Sequence, residues 1–152
     1  MNIIIPIGGL GTRFIETGFI LPKPLINLLL KPILFWLLDC LNLNPGDHVI
    51  IVCNKRLKQY RFRELINKTY KNITVLYLDN DTRGAAETVL YGLSVANLKK
   101  PTLLLDGDTF YNVDILKLYR DSENKNVVFS FRQQDSRPTH MYMSLIILYN
   151  KS

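Results

Sequence analysis

Residues 2–14 read "NIIIPIGGLGTRF": a short apolar run, then Gly8, Gly9 and Gly11 around Leu10, then a permanent positive charge at Arg13. An unbroken run of this length reads as a strand buried on both faces, and the glycines end it. A glycine loop lets backbone N–H groups approach phosphate oxygens with no Cβ atoms in the way, and an arginine beyond it adds a charge that stays protonated at any working pH. The competing reading is a tight strand-exit turn with no ligand. The loop fits neither G-x-G-x-x-G, because Phe14 holds the third glycine's place, nor the G-K-[ST] ending of a Walker A loop.

Outward from this stretch the same pattern repeats. "LPKPLI" places Lys23 between Pro22 and Pro24, which predicts an extended segment, and "KPILFWLLDCLNL" predicts a mostly buried helix with Pro32 in its first turn. "DHVIIVCN" predicts a second strand. "RLKQYRFRELINKTY" predicts an amphipathic helix with Leu57, Tyr60, Leu65 and Ile66 facing inward. "NITVLYL" is a third strand, running into the loop "DNDTRG", and "AAETVLYGLSVAN" is a helix. "PTLLLDGDTFY" reads as a fourth strand ending in carboxylates, "VDILKLYRD" as a helix, and "NVVFSFRQ" and "MYMSLIILYN" as further strands.

Alternation at this spacing predicts right-handed crossovers and a mainly parallel sheet with helices on both faces. Ligands of such sheets bind beyond the carboxyl ends of the strands. The glycine loop, "DNDTRG" and "DGD" all fall there, so they are expected to converge on one crevice.

The 152 residues, 47% hydrophobic and 21% charged, suit one domain with a substantial core. A net charge of +6 favours anionic partners without choosing among them. Cys40 and Cys53 show neither C-x-x-C nor metal-ligand spacing and read as small hydrophobes in a reduced, cytoplasmic protein. "LINLLLKPILFWLL" is interrupted by Asn27, Lys31 and Pro32, so no membrane span is expected. The basic run from Lys55 to Lys71 reads as a solvated helix face, and nucleic acid is not the expected partner. His48 and His140 stand apart from any ligand pattern and are assigned no role.

"GGLGTRF", then "PKPLI", then "KP" resembles the N-terminal signature of the sugar-phosphate nucleotidyltransferases, through Gly9, Gly11, Thr12, Arg13, Pro22, Lys23, Pro24, Leu25, Lys31 and Pro32. "TRGAAETV" and "LLLDGDTFY" extend the similarity over about residues 1–130. The resemblance implies an α/β three-layer sandwich with a Rossmann-like, mainly parallel sheet of the nucleotide-diphospho-sugar transferase, or GT-A-like, type. It implies that Gly8, Gly9, Leu10, Gly11 and Thr12 hold nucleotide phosphates, that Arg13 and Lys23 flank the reacting phosphates, that Asp108 binds Mg²⁺, and that Gly84 lies against base or ribose. The implied partners are a nucleoside triphosphate and a sugar 1-phosphate, joined with release of pyrophosphate.

Residues 1–131 are therefore expected to form the nucleotide-binding domain, and 132–152 an unmatched tail of a truncated product. The alternatives are a catalytically incomplete nucleotide-binding remnant or subunit, and a glycosyltransferase using Asp106 and Asp108 as a D-x-D pair on one strand face. Asp79, five residues before Gly84, accepts hydrogen bonds only, which suits guanine's paired N–H donors; the bland reading is a solvated turn acid. Glu87 reads as a first-turn acid favourable to the helix dipole or as a ribose contact.

Overall fold

The computed structural model of the chain describes residues 1–9, 11–109, 111–122 and 127–128, the side chains of Thr12 and Arg13 excepted. Its centre is a parallel sheet. Strand β1 (Asn2–Ile7) pairs with β4 (His48–Asn54) on one side and β6 (Thr102–Leu104) on the other, and β4 pairs with β5 (Ile73–Leu78), giving the order β5-β4-β1-β6. Strands buried on both faces need apolar side chains at every position, which is why the runs in β1 and β4 do not alternate. Ile3, Ile5, Val49, Ile51 and Cys53 point to one face, and Ile4, Ile50 and Val52 to the other.

The first face carries α2 (Ile33–Asp39), α3 (Phe62–Thr69) and α5 (Ile115–Arg120), through Leu34, Leu37, Leu38, Phe62, Ile66, Ile115 and Leu116. The second carries α4 (Ala85–Leu93). There Gly92 lets the helix lie directly on the sheet, since a Cβ would come within 2.8 Å of Ile4 Cγ2 and 3.1 Å of Val52 Cγ2. The three-layer α/β arrangement is thus as expected, with a parallel sheet. Cys53 is fully buried, and desolvation pushes its thiol up to about 12, so it acts as core and not as a nucleophile.

Several local expectations are corrected. Lys23 is not in an extended segment: Lys23–Leu25 forms one 3-10 turn with Pro22 as its cap, because prolines at the start of a turn lose no hydrogen bond that was needed. Pro32 sits one position before α2 and, with Lys31, forms β3 (Lys31–Pro32), paired antiparallel with β2 (Asn27–Leu28). The tip of that hairpin is Leu29 and Leu30, both with left-handed backbone (φ 50 and 67) and 81% and 97% exposed. The stretch after β4 is two elements. A 3-10 helix over Lys55–Tyr60 ends at Arg61 in the left-handed region (φ 51), and α3 begins only at Phe62. The break resets the helical phase, so Phe62 joins Ile66 in the core while Leu65 is exposed. A short helix not foreseen, α1 (Thr12–Glu16), follows the glycine loop. β6 stops at Leu104, so Asp106 and Asp108 lie in a turn closed by Thr109 N–H donating to Asp106 O at 3.3 Å, and the shared strand face expected for them is absent. Leu10, within the glycine loop, lies outside the described residues, as do residues 129–152, with the strand expected at 141–150 and all but 127 and 128 of the one expected at 126–133.

Candidate functional site

The chain runs outward from β1 to β4 and β5, then crosses back to add β6 on the opposite side of β1. The reversal therefore falls between β1 and β6, and their carboxyl ends open a crevice of the kind that receives ligands in open α/β sheets. Both exits carry a closely packed glycine. A Cβ on Gly8 would come within 2.8 Å of Leu78 Cδ1 and 2.9 Å of Thr88 Oγ1, and a Cβ on Gly107 would overlap Ile7. The first exit is thus pressed against the ends of β5 and α4, and the second against β1. Gly11 meets a different need, a left-handed backbone at φ +63.

Across the crevice Lys23 Nζ forms an ion pair with Asp108 Oδ2, 85 positions away in sequence. The lysine also lies 5.2 Å from the Phe14 ring centroid. Their side chains are 36% and 41% exposed, so both charges stay within reach of a ligand. Gly9, Gly11 and Lys23 line a cavity of about 140 Å³ with Ile20, Asn54 and Arg56. Asn54 and Arg56 carry no motif signal; the end of β4 places the first and the 3-10 turn after it places the second.

The third polar loop, residues 79–84, is fastened at both ends. Asn54 Nδ2 donates to Asp81 Oδ1 at 2.6 Å, and Lys55 Nζ donates to the Asp79 carbonyl at 2.6 Å. At the far end Thr82 and Thr88 hydroxyls lie 2.7 Å apart, and Thr88 Oγ1 donates to Gly84 O at 3.2 Å. Glu87 accepts from Arg83 N–H at 2.6 Å; this backbone bond, ahead of the Arg83 side chain, holds its carboxyl below the ordinary range despite the opposing desolvation. Glu87 therefore caps the loop before α4. Asp79's side chain is exposed, and a Cβ on Gly84 would meet nothing within 4 Å, so the protein itself sets no limit on size there.

Among the described residues no group of three His, Cys, Asp or Glu side chains converges, and no helix is long and apolar enough to cross a membrane. Asp108, with Asp106 two residues away in the same turn, is a sparse, hard-oxygen donor set. It fits a cation that takes most of its ligands from phosphates and water, and it does not fit a protein-enclosed metal.

The sequence profile described as nucleotidyl transferase matches residues 2–142. This chain belongs to the nucleotidyl transferase family. It is 32% identical over 128 residues to the bifunctional protein GlmU of Thermodesulfovibrio yellowstonii, covering 83% of this chain and 26% of that protein. In structure it is similar to the nucleoside-diphosphate-sugar pyrophosphorylase of Vibrio cholerae RC9, with TM-score 0.64 and 19% identity over 100% of this chain and 67% of that one. It is also similar to HddC of Yersinia pseudotuberculosis complexed with GMP-PN (TM-score 0.63, 23% identity, 82% and 55% covered). The inositol-1-phosphate CTP transferase of T. maritima aligns with TM-score 0.66 at 16% identity, with 82% and 49% covered. The nucleotidyltransferase chain thus spans about a quarter of GlmU and about half of two of these three solved chains.

Proposed function

We propose that this chain binds a nucleoside triphosphate with Mg²⁺ in the β1/β6 crevice and serves the transfer of the nucleotidyl group to a sugar 1-phosphate, with release of pyrophosphate. The observation that carries the reading is the Lys23–Asp108 pair beside the glycine loop at the switch point. A lysine and a carboxylate that neutralise one another at an open crevice are poised to exchange partners. With a phosphate and a cation bound, Lys23 would pair with phosphate oxygen and Asp108 would hold the cation, and no buried charge would be created.

In the reaction an oxygen of the sugar phosphate attacks the α-phosphorus, the bond to the β-phosphate bridge breaks, and pyrophosphate leaves with the electron pair. No protein nucleophile is required. The residues contribute position and charge: backbone N–H groups of the Gly8–Thr12 loop, a forked guanidinium at Arg13 and a mobile point charge at Lys23. Asp108 would hold the divalent cation, which when bound offsets charge on the phosphate oxygens. Asp79 and Gly84 form the nucleoside side, with Asp79 as an acceptor suited to guanine.

A second reading is a nucleotide-binding portion that does not turn over by itself. Calorimetric titration of nucleoside triphosphates with and without MgCl₂ tests the common element of both. Arg13→Ala removes a charge-assisted bond and should raise the Kd about 10- to 100-fold. Asp108→Asn should abolish the Mg²⁺ enhancement while tightening metal-free binding, because Lys23 loses its internal partner. Unchanged affinity in Arg13→Ala, or an intact Mg²⁺ effect in Asp108→Asn, overturns the site.

A further inference from the structure

We propose that Asn54 is a positioning residue for nucleobase choice, acting through Asp81. The proposal rests on the reading of residues 79–84 as the base side of the nucleotide site. Asn54 ends β4 and is 6% exposed. Its amide is used in both directions: Oδ1 accepts Arg56 N–H at 2.9 Å, capping the 3-10 turn that borders the cavity, and Nδ2 donates to Asp81 Oδ1 at 2.6 Å. β4 and β5 end level with one another, Asn54 opposite Leu78, so a short amide spans from one strand exit to the next.

Only a side chain with donor and acceptor at fixed separation can make both bonds. A carboxylate at position 54 would keep the cap and set a negative charge against Asp81. The loop beyond Asp81 is held independently, by Thr82 on Thr88 and by Arg83 N–H on Glu87. Loss of the Asn54 bond therefore loosens the 79–81 half, which keeps the Lys55 bond to the Asp79 carbonyl and carries the exposed Asp79 carboxylate. Gly8, at the start of the glycine loop, is close-packed on Leu78 and Thr88 instead. Asn54 also lines the cavity with Gly9, Gly11 and Lys23, so its action on base choice is the part that runs through Asp81.

The test titrates the full chain with ATP, GTP, CTP, UTP, dTTP and inorganic tripolyphosphate in MgCl₂, for wild type, Asn54→Asp, Asp81→Ala and the double variant Asn54→Asp with Asp81→Asn. In Asn54→Asp and Asp81→Ala the ratio of the weakest to the tightest nucleotide Kd should shrink about tenfold; in Asp81→Ala, which leaves the cavity lining intact, tripolyphosphate affinity should change less than about twofold. The double variant reverses the polarity of the bond: the new amide at position 81 donates to the new carboxylate at position 54, which still caps the Arg56 N–H. It should restore the ratio to within about threefold of wild type. Asp81→Ala alters an exposed loop side chain and keeps the buried Asn54, so it remains informative if Asn54→Asp does not fold. The inference is overturned if both single variants keep the wild-type ratio, if tripolyphosphate and all nucleotides weaken in parallel with Tm in Asp81→Ala, or if the double variant does not recover. A wild-type chain that binds no nucleotide overturns the functional reading itself, a pattern distinct from indifference at Asn54.

Discussion

Gly8→Ala should destabilise this chain, whereas Gly9→Ala, one residue further, should not. Gly8 does not have left-handed backbone, so alanine meets no conformational penalty there. The cost is one of space. The new Cβ would stand 2.8 Å from Leu78 Cδ1, 2.9 Å from Thr88 Oγ1 and 3.1 Å from Thr88 Cγ2, where ordinary contact begins near 3.4 Å. Both neighbours are only 2% exposed, and Thr88 is tied to Thr82 and Gly84, so neither can swing away. Overpacking of this kind costs about 1–3 kcal/mol, against which reduced freedom of the unfolded chain returns about 0.4–1 kcal/mol. The expected net loss is about 1–2 kcal/mol, or roughly 2–8 °C in Tm for a chain of this size. Gly9 has nothing within 4 Å of its added Cβ and should change by less than about 0.5 kcal/mol. Urea denaturation followed by circular dichroism reads the difference as a lower midpoint at unchanged m. In a Thr88→Ala background the Gly8→Ala cost should fall, since two of the three close contacts are gone. Superimposable Gly8→Ala and Gly9→Ala curves would refute the claim that the glycine loop bears on α4.

Other substitutions separate stability from binding. Gly84→Ala adds a Cβ in open space and Gly84 has extended backbone, φ 168, which any residue adopts; Tm should hold while nucleoside triphosphate Kd rises, and unchanged binding would remove Gly84 from the site. Asp79→Gln should narrow or invert a preference for GTP over UTP and dTTP, seen by competition binding; an ordering indifferent to the change returns Asp79 to a solvated turn acid. Burial, assisted by the Lys100 ammonium, lowers the pKa of His48, whose Nε2 lies 2.8 Å from Thr74 Oγ1. With the folded value below the unfolded one, the neutral ring's contribution is complete above about pH 6.5 and is lost as pH falls through that value towards the lower folded one. Urea midpoints across pH 5–8 should therefore fall on the acid side, and His48→Gln should flatten the dependence.

The parts of the fold legible in the sequence are those in which one physical demand acts on consecutive residues. β1 and β4 are buried on both faces, and their apolar runs say so directly. The hairpin at residues 27–32 is hidden because Leu28, Leu29 and Leu30 look like the beginning of the apolar helix that follows; nothing in a leucine pair announces left-handed backbone. Arg61 hides its break for the same reason, and with it the phase that buries Phe62 and exposes Leu65. Within the crevice, the motifs single out Gly8, Gly11, Lys23 and Asp108, and the structure gives close packing as the need for glycine at Gly8 and left-handed backbone at Gly11. The pairings Lys23–Asp108 and Asn54–Asp81 have no period or spacing by which to be found, since they arise from strand exits brought level by the sheet. Asn54 in particular reads as a turn residue after a strand until its partner is seen.

The hairpin at residues 27–32 clasps the chain's single tryptophan, and this sets what an optical experiment can see. Trp36 Nε1, on α2, donates to the Leu28 carbonyl at 2.9 Å, and the Lys31 ammonium lies 4.3 Å from its ring centroid. Tryptophan fluorescence of the whole protein is therefore the emission of one indole with a cation against it. Ile26 joins the hairpin to the turn that bears Lys23: its N–H donates to the Lys23 carbonyl at 3.2 Å, and its own carbonyl accepts from Ile33 N–H at 3.0 Å. A shift of that turn when Lys23 leaves Asp108 thus has a short hydrogen-bonded route to the indole's surroundings. The Asn54–Asp81 contact lies elsewhere, between the end of β4 and the loop after β5. The molecule carries its own reporter, hydrogen-bonded through Ile26 to the turn that bears Lys23.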